Sequence, residues 1–279
     1  MLNTVYKEAI KNRENILSVL KGPKFDQIVE RARQNWIEYT PKKQDAVLAG
    51  IDSSFNSTKF QGMELWVVTA VGIKSDGTII DDLHRQGLGR VGLDLSRLAS
   101  EMEVDVCKKA VDDADIVMMD GSLYSQFMTR QSSLTPTIVR VITKKNNVIF
   151  IAKTSNTNVQ FSDLGSQAGD IFYYNHATKT PGFSRIFVDD EFGHNKKISS
   201  IYARLSDSTP LIKIELFGDS HTDEEVKSIL DRLYKTSVGG YPYALKLAHN
   251  NCKISGADLT KLVSLYGISN EIGSREVLE

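Results

Sequence analysis

Two stretches, Ala46-Val-Leu-Ala-Gly-Ile-Asp52-Ser-Ser54 and Asp115-Ile-Val-Met-Met-Asp120-Gly-Ser122, decide how this chain is read. Each is an apolar run that stops at an aspartate followed by small residues. Such a run predicts a strand buried on both faces, and the small polar residues predict the turn that leaves it. Either aspartate alone would serve equally well as a cap for the segment that follows. Two carboxylates delivered to the ends of neighbouring strands instead make a hard oxygen site, suited to Mg²⁺ or Mn²⁺.

The strands and helices around these runs predict that neighbourhood. After 46–52 come a long β-rich segment, 62–73, a Ser75-Asp-Gly77 turn and a third strand, Thr78–Leu83. Tight links between three strands imply an antiparallel meander. A break at Gly87-Leu-Gly89 is followed by a helix over Leu93–Asp112, the Asp120 strand, a helix after Pro136 and the strand 147–153. Strand–helix–strand alternation calls for parallel pairing with right-handed crossovers. Three antiparallel strands followed by parallel α/β units is the programme of a ribonuclease-H-like mixed sheet with flanking helices. In that α/β fold the first and fourth strands are central neighbours, which places Asp52 beside Asp120.

The helix between them offers a third carboxylate. Leu95, Leu98, Ala99, Met102, Val106 and Ala110 form its apolar stripe. Glu103 falls at the edge of that stripe, whereas Glu101 lies with Asp94, Arg97, Asp105 and Lys108 on the polar side. A charge beside a buried face is costly unless it is paired or on a metal, so Glu103 is preferred, with Glu101 as the alternative.

Further along, 171–178, 184–190, 198–206 and 211–218 read as strands, the last two as a pair. Asp223–Tyr234 reads as a helix with an acidic first turn, Tyr241–Asn251 as a helix with Pro242 near its start, and Ser255–Tyr266 as a helix capped by Ser255. None of the five histidines has zinc-ligand spacing. His249 lies on a late helix, where it is either a half-exposed polar residue or a ligand brought to the carboxylates.

Residues 1–41 read as a helical arm, broken at Gly22-Pro23 and stopped by Pro41, ahead of a domain over 42–279. Its apolar positions include Tyr6, Ile10, Leu17, Leu20, Phe25, Ile28, Val29 and Trp36. They would either pack on the sheet or form an interface, and a homodimer through this arm is expected.

The 279 residues are 41% hydrophobic and 25% charged, the balance of a globular chain with a sizeable core. A net charge of −1 argues against a protein that coats nucleic acid electrostatically, but leaves a nuclease open. Basic pairs at Lys42-Lys43, Arg85 with Arg90, Lys108-Lys109, Lys144-Lys145 and Lys196-Lys197 fit solvated ends or phosphate contacts alike. Two cysteines, Cys107 and Cys252, are too few for a disulfide framework. With no apolar span and no leader-like start, a cytoplasmic location without membrane contact is expected.

Gly50-Ile-Asp52-Ser-Ser, the helix carrying Glu103, Met119-Asp120-Gly-Ser-Leu123, Ile151-Ala-Lys153-Thr-Ser, Ile201-Tyr202-Ala-Arg-Leu and Gly240-Tyr-Pro-Tyr-Ala-Leu-Lys-Leu-Ala-His249 resemble, in order, the blocks of the NurA nuclease family. The first block reads Asp-Ser-Ser where the family more often has Asp-Gly-Ser. The resemblance implies a homodimeric Mn²⁺-dependent deoxyribonuclease, with Mg²⁺ as an alternative ion. It would act 5′ to 3′ on DNA, with single-strand endonuclease activity, in end resection for homologous recombination beside a HerA-type hexameric ATPase. It also implies Asp52, Glu103, Asp120 and His249 as metal ligands and Tyr202 as an active-site neighbour. Lys153, at its strand end, would hold a DNA phosphate or a carboxylate. Competing classes are an actin-like or sugar-kinase phosphotransferase on the same core and an inactive nucleic-acid-binding module. The first normally duplicates the core, and the second has no use for clustered carboxylates.

Overall fold

Apolar runs alternating with amphipathic stretches build a wide sheet covered on both faces. The computed structural model describes residues 2–189 and 197–268. It begins with helices α1 (Leu2–Lys11), α2 (Arg13–Leu17) and α3 (Pro23–Gln34) and the short strand β1 (Trp36–Glu38). Next come β2 (Leu48–Lys59), β3 (Glu64–Lys74), β4 (Ile79–Gly89), α4 (Leu95–Asp113), β5 (Ile116–Asp120), α5 (Thr135–Lys145) and β6 (Val148–Ala152). The last third holds α6 (Asp170–Ala177), β7 (Gly182–Ser184), β8 (Phe187–Asp189), β9 (Ile198–Arg204), β10 (Ile212–Phe217) and α7 (Asp223–Lys235). Two-residue strands β11 (Ser237–Val238) and β12 (Tyr241–Pro242) then lead into α8 (Tyr243–Cys252) and α9 (Gly256–Leu265).

The main sheet runs β1-β7-β9-β10-β6-β5-β2-β3-β4, with β8 pairing β9 at the side. β2, β3 and β4 form the expected antiparallel meander. β2 is parallel to β5 and β5 to β6, so the strands carrying Asp52 and Asp120 are central neighbours. Ile51 lies opposite Met119, which brings both aspartates out at the same end of the sheet.

The alternation of side chains divides the core in two. Ala49, Ile51, Val117 and Met119 face α4 and α5, where Met102, Val106, Ala110 and Ile138 cover them. Leu48, Met118, Ile149 and Ile151 face the other way, under Val226, Leu230 and Leu233 of α7 and Ala244 and Leu245 of α8. Each fully buried Val, Leu, Ile or Met among them contributes roughly 1.5–3 kcal/mol. A third cluster joins α3 (Ile28, Val29, Ala32) to α6 (Tyr173, Tyr174, Ala177) and to Tyr202 and Leu211.

Five local expectations need correction. Asp52-Ser-Ser is not a turn: β2 runs on to Lys59, because its ladder with β3 continues beyond the last buried residue. Segment 171–178 is not a strand but α6: burying Tyr173, Tyr174 and Ala177 against α3 outweighs the β preference of its aromatic residues. The second arm helix stops at Gln34, and Trp36 starts β1, which pairs with β7. A helical spacing of Ile28, Ala32 and Trp36 gives no sign of that distant partner. Gly87-Leu-Gly89 is no break, because β4 runs through it. A side chain at Gly87 would lie 2.6 Å from the Trp66 ring, so the glycine makes room for that ring across the strands. Tyr241-Pro242 precedes the helix as β12 rather than forming its first turn. Asp190 of the 184–190 expectation, His194 and Lys196 lie outside the described residues.

The 1–41 segment also behaves as two parts. No side chain of α1 is buried, whereas α3 and β1 belong to the core and the sheet. Among the described residues no helix is long and apolar enough to cross a membrane.

Candidate metal centre

Asp52 follows four buried residues of β2 and is itself only 7% exposed. Its neighbour two residues earlier explains what covers it. A Cβ on Gly50 would lie 2.4 Å from the carbonyl carbon of Ala244, so α8 crosses β2 with the two backbones touching. That crossing lays α8 along β2 and brings its last turns over Asp52. His249 therefore reaches the site, its Nδ1 2.9 Å from Asp52 Oδ2.

Asp120, at the tip of β5, is held from two sides. The Tyr241 hydroxyl donates to its Oδ1 at 3.1 Å, and Lys153 Nζ pairs with Oδ2 at 2.9 Å. Lys153 also stands 5.1 Å from the centre of the Tyr241 ring, a cation–π contact. The backbone N–H of Ser53 donates to Asp52 Oδ1 at 2.8 Å.

Glu103 approaches from the α4 face, behind the strand tips. It is buried and accepts from Ser53 Oγ and Gln126 Nε2, both at 2.5 Å. Glu101 is instead half-exposed and paired with Arg97 at 3.1 Å. Burial pushes the Glu103 carboxyl up to about 8, with Asp52 and Asp120 adding to the rise against the two hydrogen bonds. Burial likewise raises Asp52, helped by the charge of Asp120 and opposed by His249. Both carboxyls thus hold a proton more tightly than exposed acids do, a rise that a bound cation would oppose.

That arrangement suits a divalent cation. Asp52, Asp120 and His249 each offer a ligand atom, and these atoms lie within 4.8 Å of one another. Two carboxylates and one imidazole match the ligand preferences of Mg²⁺ or Mn²⁺ better than those of a thiophilic metal. Glu103 is outside that close group and is linked to it through Ser53.

The other expected residues fall differently. Lys153 is in the site, as a partner of Asp120. Tyr202 is fully buried in the third cluster, tilted on Tyr174 with ring centres 5.2 Å apart, and makes no hydrogen bond to the carboxylates. Tyr241 is the tyrosine that touches them. Sequence reading assigned no role to Tyr241, although it opens the Tyr-Pro-Tyr block that ends at His249. Gly50 was legible in principle, since a glycine inside a buried strand signals a close backbone neighbour.

A buried ion pair steadies the turn after Asp120. Lys213 and Glu215 on β10 are 2.6 Å apart, with side chains 4% and 2% exposed. Glu215 accepts from Ser122 Oγ at 2.9 and 3.0 Å and from the Tyr124 N–H at 3.2 Å. Lys213 donates to Thr157 at 3.0 Å. The turn leads into a seven-residue π-helical segment, Tyr124–Arg130, which carries Gln126 back to Glu103.

The sequence profile of the NurA domain matches residues 46–254. The DNA double-strand break repair nuclease NurA of Sulfurisphaera tokodaii is 24% identical, with 97% of each chain covered. The structure resembles the crystal structure of the NurA nuclease from Sulfolobus solfataricus with a TM-score of 0.81 and 20% identity, covering 96% of this chain and 97% of that one. It also resembles a crystal structure of NurA bound to dAMP and manganese, with a TM-score of 0.56 and 10% identity, over 91% and 93% of the two chains. With the family's profile spanning well over half of its length, this chain belongs to the NurA family.

Proposed function

We propose that this protein is a metal-dependent DNA nuclease on a ribonuclease-H-like sheet, hydrolysing phosphodiesters by a two-metal mechanism. The observation that carries the reading is the meeting of Asp52, Asp120 and His249, with ligand atoms within 4.8 Å of one another where the end of β5 meets the middle of β2. The names of curated relatives as DNA double-strand break repair nucleases support it. A fold neighbour crystallised with dAMP and manganese supports Mn²⁺ as the ion, with Mg²⁺ as the alternative.

Asp52, Asp120 and His249 would hold the metal, with Glu103 completing the set from behind. A pair of ions bound there would supply an acidified attacking water at one and charge stabilisation of the leaving oxygen at the other. The chain's own groups set up that site. The Ser53 N–H and the Tyr241 hydroxyl fix the orientation of the two aspartates. Lys153 balances Asp120 and keeps a positive charge at the site's edge, where a DNA phosphate oxygen would be held. His249 is half-exposed, so it can pass a proton between the site and solvent as well as serve as a ligand.

The finer reading is 5′ to 3′ exonuclease action, with single-strand endonuclease activity, in end resection beside a HerA-type hexameric ATPase. The protein would act as a homodimer to which α1 contributes, since its Leu2, Val5, Tyr6 and Ile10 are all more than half exposed. Digestion of 5′- and 3′-labelled DNA with Mn²⁺, Mg²⁺ or EDTA tests the reading. Cleavage that persists in EDTA, or in Asp52→Ala with Mn²⁺, would reject it.

A further inference from the structure

Glu103 stands outside the close group of Asp52, Asp120 and His249, and both of its oxygens are held by other side chains. The two holders are unequal. Ser53 Oγ donates to Oε1 from β2, next to Asp52 in the chain. A serine hydroxyl turns freely about its own bond and can give up one acceptor for another. Gln126 Nε2 donates to Oε2, and this amide is fixed from several sides.

Its backbone comes first. Gln126 lies in the π-helical segment Tyr124–Arg130, where its N–H donates to the Ser122 carbonyl at 3.0 Å and its carbonyl accepts from the Gln131 N–H at 2.8 Å. π-helical turns are rare and are frequent at functional sites. The next residue, Phe127, is fully buried on Phe150, with ring centres 5.9 Å apart, and its carbonyl accepts from the Thr135 hydroxyl. The segment is thereby anchored beside Gln126.

The side chain is held as well. Nε2 also donates at 3.2 Å to Ser100 Oγ, on the buried stripe of α4 three residues before Glu103. A side chain at Gly121 would press on Gln126 Oε1, its Cβ 3.2 Å away, and φ there is +112°, so the glycine after Asp120 leaves the amide its place. An ionised carboxylate only accepts, which turns the NH₂ end of the amide towards Glu103. One oxygen of Glu103 is thus tied to a rigid donor and the other to a hydroxyl on the strand of Asp52.

We propose that Gln126 is a positioning residue for the metal centre: it pins Glu103 by Oε2 so that Oε1 is presented on the side of Asp52 as a further ligand. The inference rests on the metal-dependent nuclease reading. A donor behind a ligating carboxylate sets its orientation, and loss of such a donor typically weakens metal binding about 10–100-fold. A glutamine that merely satisfied a buried acid would act on folding and leave metal affinity alone.

Mn²⁺ binding to the full-length protein, measured by calorimetry without DNA, separates these roles. Gln126→Met keeps the length of the side chain and removes the donor, and Gln126→Leu is a second variant without one. Both should weaken Mn²⁺ binding about tenfold or more, as should Glu103→Gln. Gln126→Met combined with Glu103→Gln should bind no more weakly than Glu103→Gln alone, because Gln126 acts through Glu103. Wild-type Mn²⁺ affinity in the Gln126 variants, with or without a lower unfolding temperature in EDTA, would overturn the proposal. Losses that add in the combined variant would overturn it too, since Gln126 would then act by another route. The nuclease reading fails separately. Wild type that binds Mn²⁺ and shows the expected losses but cuts no DNA keeps the positioning role and loses the chemistry. Wild type that cuts with Mn²⁺ while Gln126→Met binds the ion normally does the reverse.

Discussion

The backbone of Ala244 passes so close to Gly50 that even a methyl group would lie 2.4 Å from its carbonyl carbon. This contact sets the height of α8 over β2, and with it the reach of His249. Gly50→Ala must push α8 outward, because both clashing partners are backbone. The expected result is a variant destabilised by several kcal/mol, at the upper end of single-substitution effects. Its cleavage should fall even below the new unfolding temperature, since His249 moves off Asp52. Thermal unfolding and activity at low temperature check both parts.

Removing one carboxylate should stabilise the metal-free protein and abolish its response to metal. Asp52 is raised by burial and by the charge of Asp120, so neutralising either relieves a repulsion. Asp52→Asn and Asp120→Asn are expected to unfold at or above the wild-type temperature in EDTA. Wild type should gain about 2.7 kcal/mol at a hundredfold excess of Mn²⁺ over its dissociation constant, and the variants little or nothing. Scanning fluorimetry over a Mn²⁺ series measures this. A full metal shift in Asp120→Asn would remove that residue from the ligand set.

Lys213 and Glu215 should matter for geometry more than for stability as a pair. Lys213→Met alone leaves a carboxylate buried and unpaired, and should cost roughly 3–5 kcal/mol. A double change to Met and Leu should recover most of that stability. It should not recover cleavage, because Ser122 and the Tyr124 N–H lose their acceptor beside Asp120. Denaturant unfolding of the single and double variants, with cleavage rates for each, separates the two roles.

Asp170 gives a pH signature away from the metal centre. Burial pushes it from the ordinary 3.8 up to about 6, against the Gln160 and Val159 N–H groups that donate to it. A carboxyl raised on folding binds its proton more tightly in the native state, so its stabilisation is complete below pH 3.8 and is lost as pH rises towards 6. The loss should approach roughly 3 kcal/mol. Asp170→Asn should lack this segment of the stability curve, so the difference between the two proteins, measured in EDTA from pH 4 to 7, isolates it.

Assembly is tested at the N-terminus, and the fold dictates where to cut. Deleting 1–40 would remove α3 and β1, which belong to the core. Deleting 1–21, up to the Gly22-Pro23 break, removes α1, α2 and the short turn after them, whose described side chains are not buried. Light scattering should show a dimer for the full chain and a loss of dimer for the truncated one. A truncated protein that remains dimeric would assign the interface elsewhere.

Much of the centre could be read from local pattern alone. An apolar run ending at Asp52 and another at Asp120 report burial on both faces and the place where it stops. The i, i+3, i+4 stripe of α4 separated Glu103 from Glu101, because burial of a helix face repeats with the helix. Ser255 caps its helix as read, through a local hydrogen-bonding pattern that a few residues determine. Tertiary structure decided the rest. Trp36 became a strand and 171–178 a helix because partners far along the chain, β7 and α3, outweigh local preference. Tyr241 reaches Asp120, and Lys213 and Glu215 support its turn, across separations of about a hundred residues. Periodicity along a segment records which of its faces is buried; which distant group occupies the space opposite depends on how the elements pack, and that is set only when the whole chain has folded.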